Sequence, residues 1–164
     1  MKTKDMARCS LFAALLAICA WICIPMPGIV ITLQSFAMAL ALLYLGGKWG
    51  CLSILLYLCL GAVGLPVFSG MQGGIGVLLG PNGGFLWGFL LGGLVYWCSS
   101  QWWGKVPALV AAQLICYGCG LCYYQIVYNQ GPFWPLIMTM LLPCLLPDAG
   151  KFVLALYIFQ KIKH

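Results

Sequence analysis

Apolar residues fall in long blocks separated by short clusters of Gly, Pro and Lys. Six blocks can be set, at residues 10–24, 29–45, 51–65, 84–98, 106–127 and 146–160. A helix that crosses the hydrocarbon core of a bilayer needs about 20 predominantly apolar residues, so a chain of 164 has room for six or seven crossings with short loops. Six crossings put both termini on one side. Lys2, Lys4 and Arg8, then Lys48, Lys105, Lys161 and Lys163 all fall on that side, and the three opposite loops contain no Lys or Arg. Cytoplasmic loops are enriched in these residues, so the pattern predicts a multi-pass plasma-membrane protein with both termini in the cytoplasm.

Two segments depart from plain blocks. Residues 66–83 carry Gly70, Gly73, Gly74, Gly76, Gly80 and Gly83 between Pro66 and Pro81. Irregular backbone at membrane depth is tolerated only where protein or a water-filled cavity satisfies its polar groups, so this loop is expected to fold back as the wall or lid of an outer-side site. Residues 129–147 are apolar but interrupted by Pro132, Pro135 and Pro143, and are expected to form an irregular or interfacial lead into helix six.

Composition narrows the class. The chain is 64% hydrophobic and 6% charged, against about a quarter charged in soluble domains, which excludes a soluble fold. One all-α integral membrane domain over residues 1–164, a compact bundle of six transmembrane helices, is the expectation. The net charge of +6 is scattered over the ends and two loops, as topology signals are, and does not make a nucleic-acid surface. Most of the ten cysteines sit inside apolar runs, where Cys packs as a small hydrophobe. The basic start and the apolar run from Leu11 to Ile24 mimic a signal peptide, but the run ends in Ile24-Pro25-Met26-Pro27 without a small-residue cleavage site, so a retained first helix is expected.

Candidate chemistry centres on Asp148 and Lys151, the only acid and base within an expected helix and away from the basic loops. A charge in hydrocarbon costs about 2.5 to 3.5 kcal/mol on insertion scales and marks a functional site by default. Residues three apart share a helix face. Pro147 suits a helix start, which would set the Asp148 carboxylate at the favourable end of the helix dipole. Two readings stay open: the pair neutralises itself at the outer interface, or it serves a ligand that has both donor groups and an anionic group. Thr32 and Gln34 are the first polar side chains of helix two, close after Pro25 and Pro27, and Asn82 is held between Pro81 and Gly83. Ala13 and Ala17 form a small-xxx-small pair in helix one.

Other chemistries lack their parts. Cys116, Cys119 and Cys122 have CxxCxxC spacing without the fourth Cys-Pro of an iron–sulfur motif. The one histidine is His164, which supports neither a His-ligated metal nor a His base. Gly46-Gly47-Lys48 lacks the rest of a phosphate-binding loop, so the chain is not expected to be an ATPase, and any energy it uses has to come from a partner or a gradient.

Four motifs in order carry a resemblance over nearly the whole chain: Ile24-Pro25-Met26-Pro27 with Ile31-Thr32-Leu33-Gln34-Ser35-Phe36; Tyr57-Leu58-Cys59-Leu60-Gly61-Ala62-Val63-Gly64-Leu65-Pro66-Val67-Phe68; Gly80-Pro81-Asn82-Gly83-Gly84-Phe85; and Leu146-Pro147-Asp148-Ala149-Gly150-Lys151. In these the chain resembles the BioY family, the biotin-binding S components of energy-coupling factor (ECF) transporters. The resemblance implies an S component that captures biotin from outside with high affinity. It also implies docking, through helix one, onto a membrane T component that carries two ATPases. Ala13 and Ala17 match the helix-one contact motif, and Asp148 and Lys151 match the polar pair associated with the ligand. Gln34 and Asn82 match polar positions, with Asn82 standing where the family usually has Thr. Tyr57, Phe68 and Phe85 fall in the motifs as candidate apolar walls for biotin, which enters as transported ligand and not as a cofactor. An S component for thiamin or riboflavin, or a small membrane enzyme, are the alternatives; the enzyme would need an acid–base or nucleophile set beyond one Asp–Lys pair.

Overall fold

The breaks between helices fall where glycine or proline leaves the backbone no helical option. The computed structural model describes residues 3–26, 29–128 and 132–163; Lys2, Pro27, Asn129 and His164 lie outside them. Helix α1 spans Thr3–Trp21. A short antiparallel hairpin follows, β1 (Cys23–Met26) with β2 (Ile29–Thr32), in register from Cys23↔Thr32 to Met26↔Ile29. The fold is mostly helical, and this hairpin is a local departure: residues 23–24 and 29–32 are strand rather than the end of one helix and the start of the next. Pro25 has no N–H with which to continue a helix, and the β-branched run Ile29-Val30-Ile31-Thr32 suits a pleated strand.

Helix α2 (Gln34–Ala62) contains Gly46 at φ 80°, ψ 174°, a conformation essentially restricted to glycine. The chain doubles back there. Gln34 Nε2 donates to Tyr57 OH at 3.1 Å across 23 residues, whereas a straight helix would hold them about 35 Å apart. The two arms are the expected helices two and three. A 3-10 turn (Ser69–Met71) and α3 (Ile75–Leu78) lie in the Gly-rich segment before α4 (Gly83–Ser99) and α5 (Lys105–Val127). Gly84, Gly88 and Gly92 recur every fourth residue on the face of α4 against α5. A Cβ there would lie 2.5 Å from Tyr123 Cβ, 2.8 Å from Cys116 O and 2.5 Å from Ala112 O respectively. Their absence lets the two backbones touch, which stands in for the hydrophobic drive that lipid does not supply.

The last helix begins earlier than expected. Short α6 (Phe133–Leu136) and a π segment (Ile137–Leu141) run directly into α7 (Leu142–Lys163), which contains Pro147. Pro143 and Pro147 cannot donate. The wider turn absorbs part of this loss: Leu142 N–H reaches back to Ile137 O, and Thr139 Oγ1 donates to Pro135 O at 2.9 Å. Neighbouring groups and π adjustments of this kind are what allow proline inside membrane helices. Asp148 therefore lies inside a helix running from Trp134 to Ile162, not at a helix start, and the helix-dipole argument for its carboxylate falls.

Among the described residues, three helical stretches are long and apolar enough to cross a membrane, Gln34–Ala62, Lys105–Val127 and Trp134–Ile162, and Gly83–Ser99 is a shorter apolar helix. The start of α1, the Gly46 bend and the α4–α5 connection gather at one end. Ser53 Oγ donates to Cys9 O at 2.9 Å, a Cβ on Gly47 would meet Trp97 Cα at 2.5 Å, and Lys105 Nζ lies 4.6 Å from the Phe159 ring centre near the end of α7. Lys4, Arg8, Lys48, Lys105 and Lys161 all belong to these segments.

Leu16, Met38, Leu42, Ile54, Tyr96 and Leu109 are the centre of one buried core. Ala13 and Ala17, at 2% and 8% exposure, belong to that core. Their small side chains let α1 pack closely within its own bundle. Leu11, Ala14 and Ile18 form the outward face of α1.

Candidate functional site

At the end of the bundle away from the basic loops, β1 and β2, the first turn of α2, the segment 69–82, the start of α4 and the middles of α5 and α7 enclose a cavity of about 670 Å³. The Gly-rich segment is indeed a wall, and it is tied down. Gly74 N donates to Gly61 O at 2.7 Å, Trp21 Nε1 to Pro66 O at 2.8 Å, and the Tyr123 and Tyr128 hydroxyls to Leu79 O at 2.9 and 2.7 Å.

The polar pole of the cavity is Asp148. One carboxylate oxygen accepts from Lys151 Nζ at 2.6 Å and Ser35 Oγ at 2.8 Å; the other accepts from Gln113 Nε2 at 3.0 Å and Tyr117 OH at 2.5 Å. Lys151 Nζ also donates to Thr32 O at 2.6 Å and Ser35 Oγ at 3.3 Å. The i,i+3 pair predicted from sequence is thus a partly buried salt bridge, 12% and 9% side-chain exposed. It joins α7 to the hairpin, to α2 and to α5. A charge this far from water requires such partners: desolvation costs several kcal/mol per ion, and only good geometry with further hydrogen bonds offsets it.

Asp148, Lys151, Gln34, Asn82 and Phe85 all line the cavity. Gln34 is 3% exposed and its Nε2 is held by Tyr57 OH. Asn82 occupies the N-cap of α4 without a side-chain cap bond; its carbonyl accepts from Phe85 N at 3.1 Å. Phe85 rests on Gly120, where a Cβ would collide with the ring. Tyr57 and Phe68 do not line the cavity. They lie behind it, 1% and 0% exposed, ring edge to ring face at 5.5 Å between centres, with Phe68 seated over Gly61, which has no Cβ to obstruct it. Their expected place as cavity walls is corrected to a supporting layer.

Ser35, Gln113 and Tyr117 were not singled out from sequence. The signal for the last two is weak but physical: they are polar residues four apart, on one face of the apolar helix α5. Gln113 Oε1 is buried without a hydrogen-bond partner among the described residues. Among the described residues no group of three His, Cys, Asp or Glu is placed to hold a metal. The arrangement suits recognition of a small ligand: a concave, partly open volume within the usual range of ligand sites, mostly apolar walls, and a few fixed polar groups at one pole.

Comparison with known proteins matches the same features. The family model described as BioY family matches residues 1–164. The probable biotin transporter BioY of Pyrococcus horikoshii is 34% identical, covering 99% of this chain and 98% of its own length. The biotin transporter BioY of Thermotoga maritima is 45% identical over 92 residues, and there the matched region spans about half of each protein, 56% of this chain and 54% of the relative. In three dimensions the crystal structure of the S-component for biotin from an ECF-type ABC transporter superposes with a TM-score of 0.87 at 24% identity, covering 99% of this chain and 92% of that one. At that identity the likeness establishes the fold.

Proposed function

The chain belongs to the BioY family, and from that premise we propose that it is the high-affinity biotin-binding subunit of an ECF-type vitamin importer. The observation that carries the reading is the cavity of about 670 Å³ with the Asp148–Lys151 pole and the apolar Ile31, Val77, Phe85 and Phe89 around it. Biotin pairs a hydrogen-bonding ureido ring and a carboxylate with an apolar thiophane and valeryl chain, and each part has a counterpart among these groups.

Six crossings, α1, the two arms of α2, α4, α5 and α7, account for the helices. The basic residues gather at one end of this bundle, so the positive-inside rule sets both termini in the cytoplasm and turns the cavity outward. A T component with two ATPases would supply the energy. With Ala13 and Ala17 buried, the α1 surface open to such a partner carries Ala14 and Ile18.

Equilibrium binding of biotin to the detergent-purified protein, with thiamin and riboflavin as competitors, tests the reading. Stoichiometric binding that neither competitor displaces is expected. Folded protein that ignores biotin, or releases it to an equimolar competitor, would overturn the assignment.

A further inference from the structure

A second hollow lies at the basic end of the bundle, away from the cavity. It is an open groove of about 410 Å³ along the last two turns of α4, lined by Leu94, Val95, Cys98 and Ser99 and closed by Trp102 and Trp103. Ser99 Oγ donates to Val95 O of its own helix at 2.7 Å, so the floor is apolar. The two indoles are set by the backbone, because Trp102 N and Trp103 N both donate to Ser99 O, at 3.0 and 2.9 Å. They are 85% and 67% exposed. The ring N–H groups of Trp21 and Trp87 are taken by Pro66 O and Leu78 O, whereas those of Trp102 and Trp103 have no partner among the described residues. Helix α4 has 17 residues and is about 25 Å long, short of a hydrocarbon core of about 30 Å. The turn after it is thereby drawn toward the hydrocarbon boundary, where lipid fills the hollow.

Charge selects which lipid. The chain has two acids, Asp5 and Asp148, and Asp148 belongs to the cavity, so at this end Lys4, Arg8, Lys48, Lys105 and Lys161 stand against Asp5 alone. Two of these cations flank the groove. Lys105 follows Trp103 by two residues and is exposed, its Nζ 4.6 Å from the Phe159 ring centre. Lys48 adjoins Gly47, which packs on Trp97 one residue before Cys98. Neither lysine has an acidic partner among the described residues. We infer that the groove binds an anionic phospholipid, with an acyl chain along Leu94, Val95 and Cys98, the ester and phosphate oxygens at the two indole N–H groups, and the headgroup charge toward Lys105 and Lys48. An apolar floor calls for hydrocarbon, unpaired cations call for an anion, and tryptophan is the side chain that bridges the two at a membrane interface. A second copy docked through the same face would set like charges against each other, and a soluble anion would leave the floor uncovered. The inference is independent of the biotin reading.

The test is tryptophan quenching by lipids with brominated acyl chains, which act only on contact. The full chain is placed in phosphatidylcholine nanodiscs doped with brominated phosphatidylglycerol or with brominated phosphatidylcholine. The signal of the groove is the difference between the wild type and the Trp102→Phe, Trp103→Phe double variant. That signal should reach half-maximal quenching at a mole fraction of the anionic lipid about fivefold lower than of the zwitterionic one, the contribution of one lysine close to an anionic headgroup. Lys105→Gln should remove most of the preference. Phe159→Leu, which takes away the ring beside Lys105 and keeps the charge, should retain it, a contrast that loss of local packing would not produce. All variants are first shown to be monodisperse. Glycerol phosphate, which carries the headgroup charge without the chains, should leave the quenching in place.

Equal midpoints for the two lipids would overturn the assignment, since the groove would then hold hydrocarbon without regard to charge. A preference that survives in both Lys105→Gln and Lys48→Gln would overturn it as well, because the anion would sit elsewhere. Reversal of the quenching by glycerol phosphate would mean an anion site without a chain, and a groove signal that neither lipid quenches would mean that protein covers it; either result removes the lipid assignment and leaves the biotin reading untouched.

Discussion

Asp148 receives four hydrogen bonds, three from two other helices, α2 and α5, and one from its own, so its replacement is expected to act on the fold and on ligand binding at once. Asp148→Asn leaves Lys151 partly buried without its counter-charge, and removing one member of such a pair costs about 3 kcal/mol. Thermal unfolding in detergent should show that loss together with weaker biotin binding; a variant as stable as the wild type would mean the pair is solvated. The double variant Asp148→Leu with Lys151→Met should cost less than the sum of its two single variants, because no charge is stranded, while still losing biotin affinity. Tyr117→Phe deletes one donor to a carboxylate and should cost about 1.5 kcal/mol with a smaller effect on binding, measured in the same two assays. Asp148 and Lys151 were legible because charges in an apolar helix stand out. Ser35, Gln113 and Tyr117 were not, since uncharged polar residues are common in membrane helices and their convergence on one carboxylate depends on three helices meeting.

At the scale of elements, two kinds of glycine have different consequences. Gly46 has nothing within 4 Å of a would-be Cβ, so Gly46→Ala meets no clash and pays only for its φ of 80°, about 1 to 3 kcal/mol. A lowered melting temperature with unchanged biotin affinity in the folded fraction is the expected result. Gly88 is the opposite case, with Cys116 O and Cα 2.8 and 2.9 Å from a would-be Cβ. Gly88→Leu should wedge α4 from α5, destabilise by at least about 2 kcal/mol, and weaken biotin binding because Gln113 and Tyr117 move with α5. Helix α1 gives a matched contrast. Ala13→Trp overfills the core and should lose monodisperse protein on size-exclusion chromatography, whereas Ala14→Trp, on the outward face, should fold and bind biotin normally. The sequence showed small residues in α1 but not which of them faced inward, because that depends on the rotation of the helix against its neighbours.

For the whole molecule, the clustering of basic residues at one end and the cavity at the other makes a topology prediction. In intact cells, a membrane-impermeant thiol reagent should label Gln72→Cys, on the exposed part of the cavity wall, above the level of the unsubstituted protein, and biotin should slow that labelling. Lys48→Cys and Lys105→Cys should react only after the membrane is opened. The reverse pattern would invert the orientation.

The membrane class, the helical blocks, the end that carries positive charge and the identity of the central ion pair were all determined by the sequence alone, because each depends on composition or on spacing along one helix. The motifs in their order also carried the family. Tertiary structure decided the rest. It turned the residues around Pro25 into a hairpin and extended the last helix through Pro143 and Pro147 with a π turn. It also set Tyr57 and Phe68 behind the cavity and folded Ala13 and Ala17 inward. Each of these outcomes depends on what neighbouring helices offer to an unpaired backbone group or a side chain, and position along the chain does not encode which neighbours those will be.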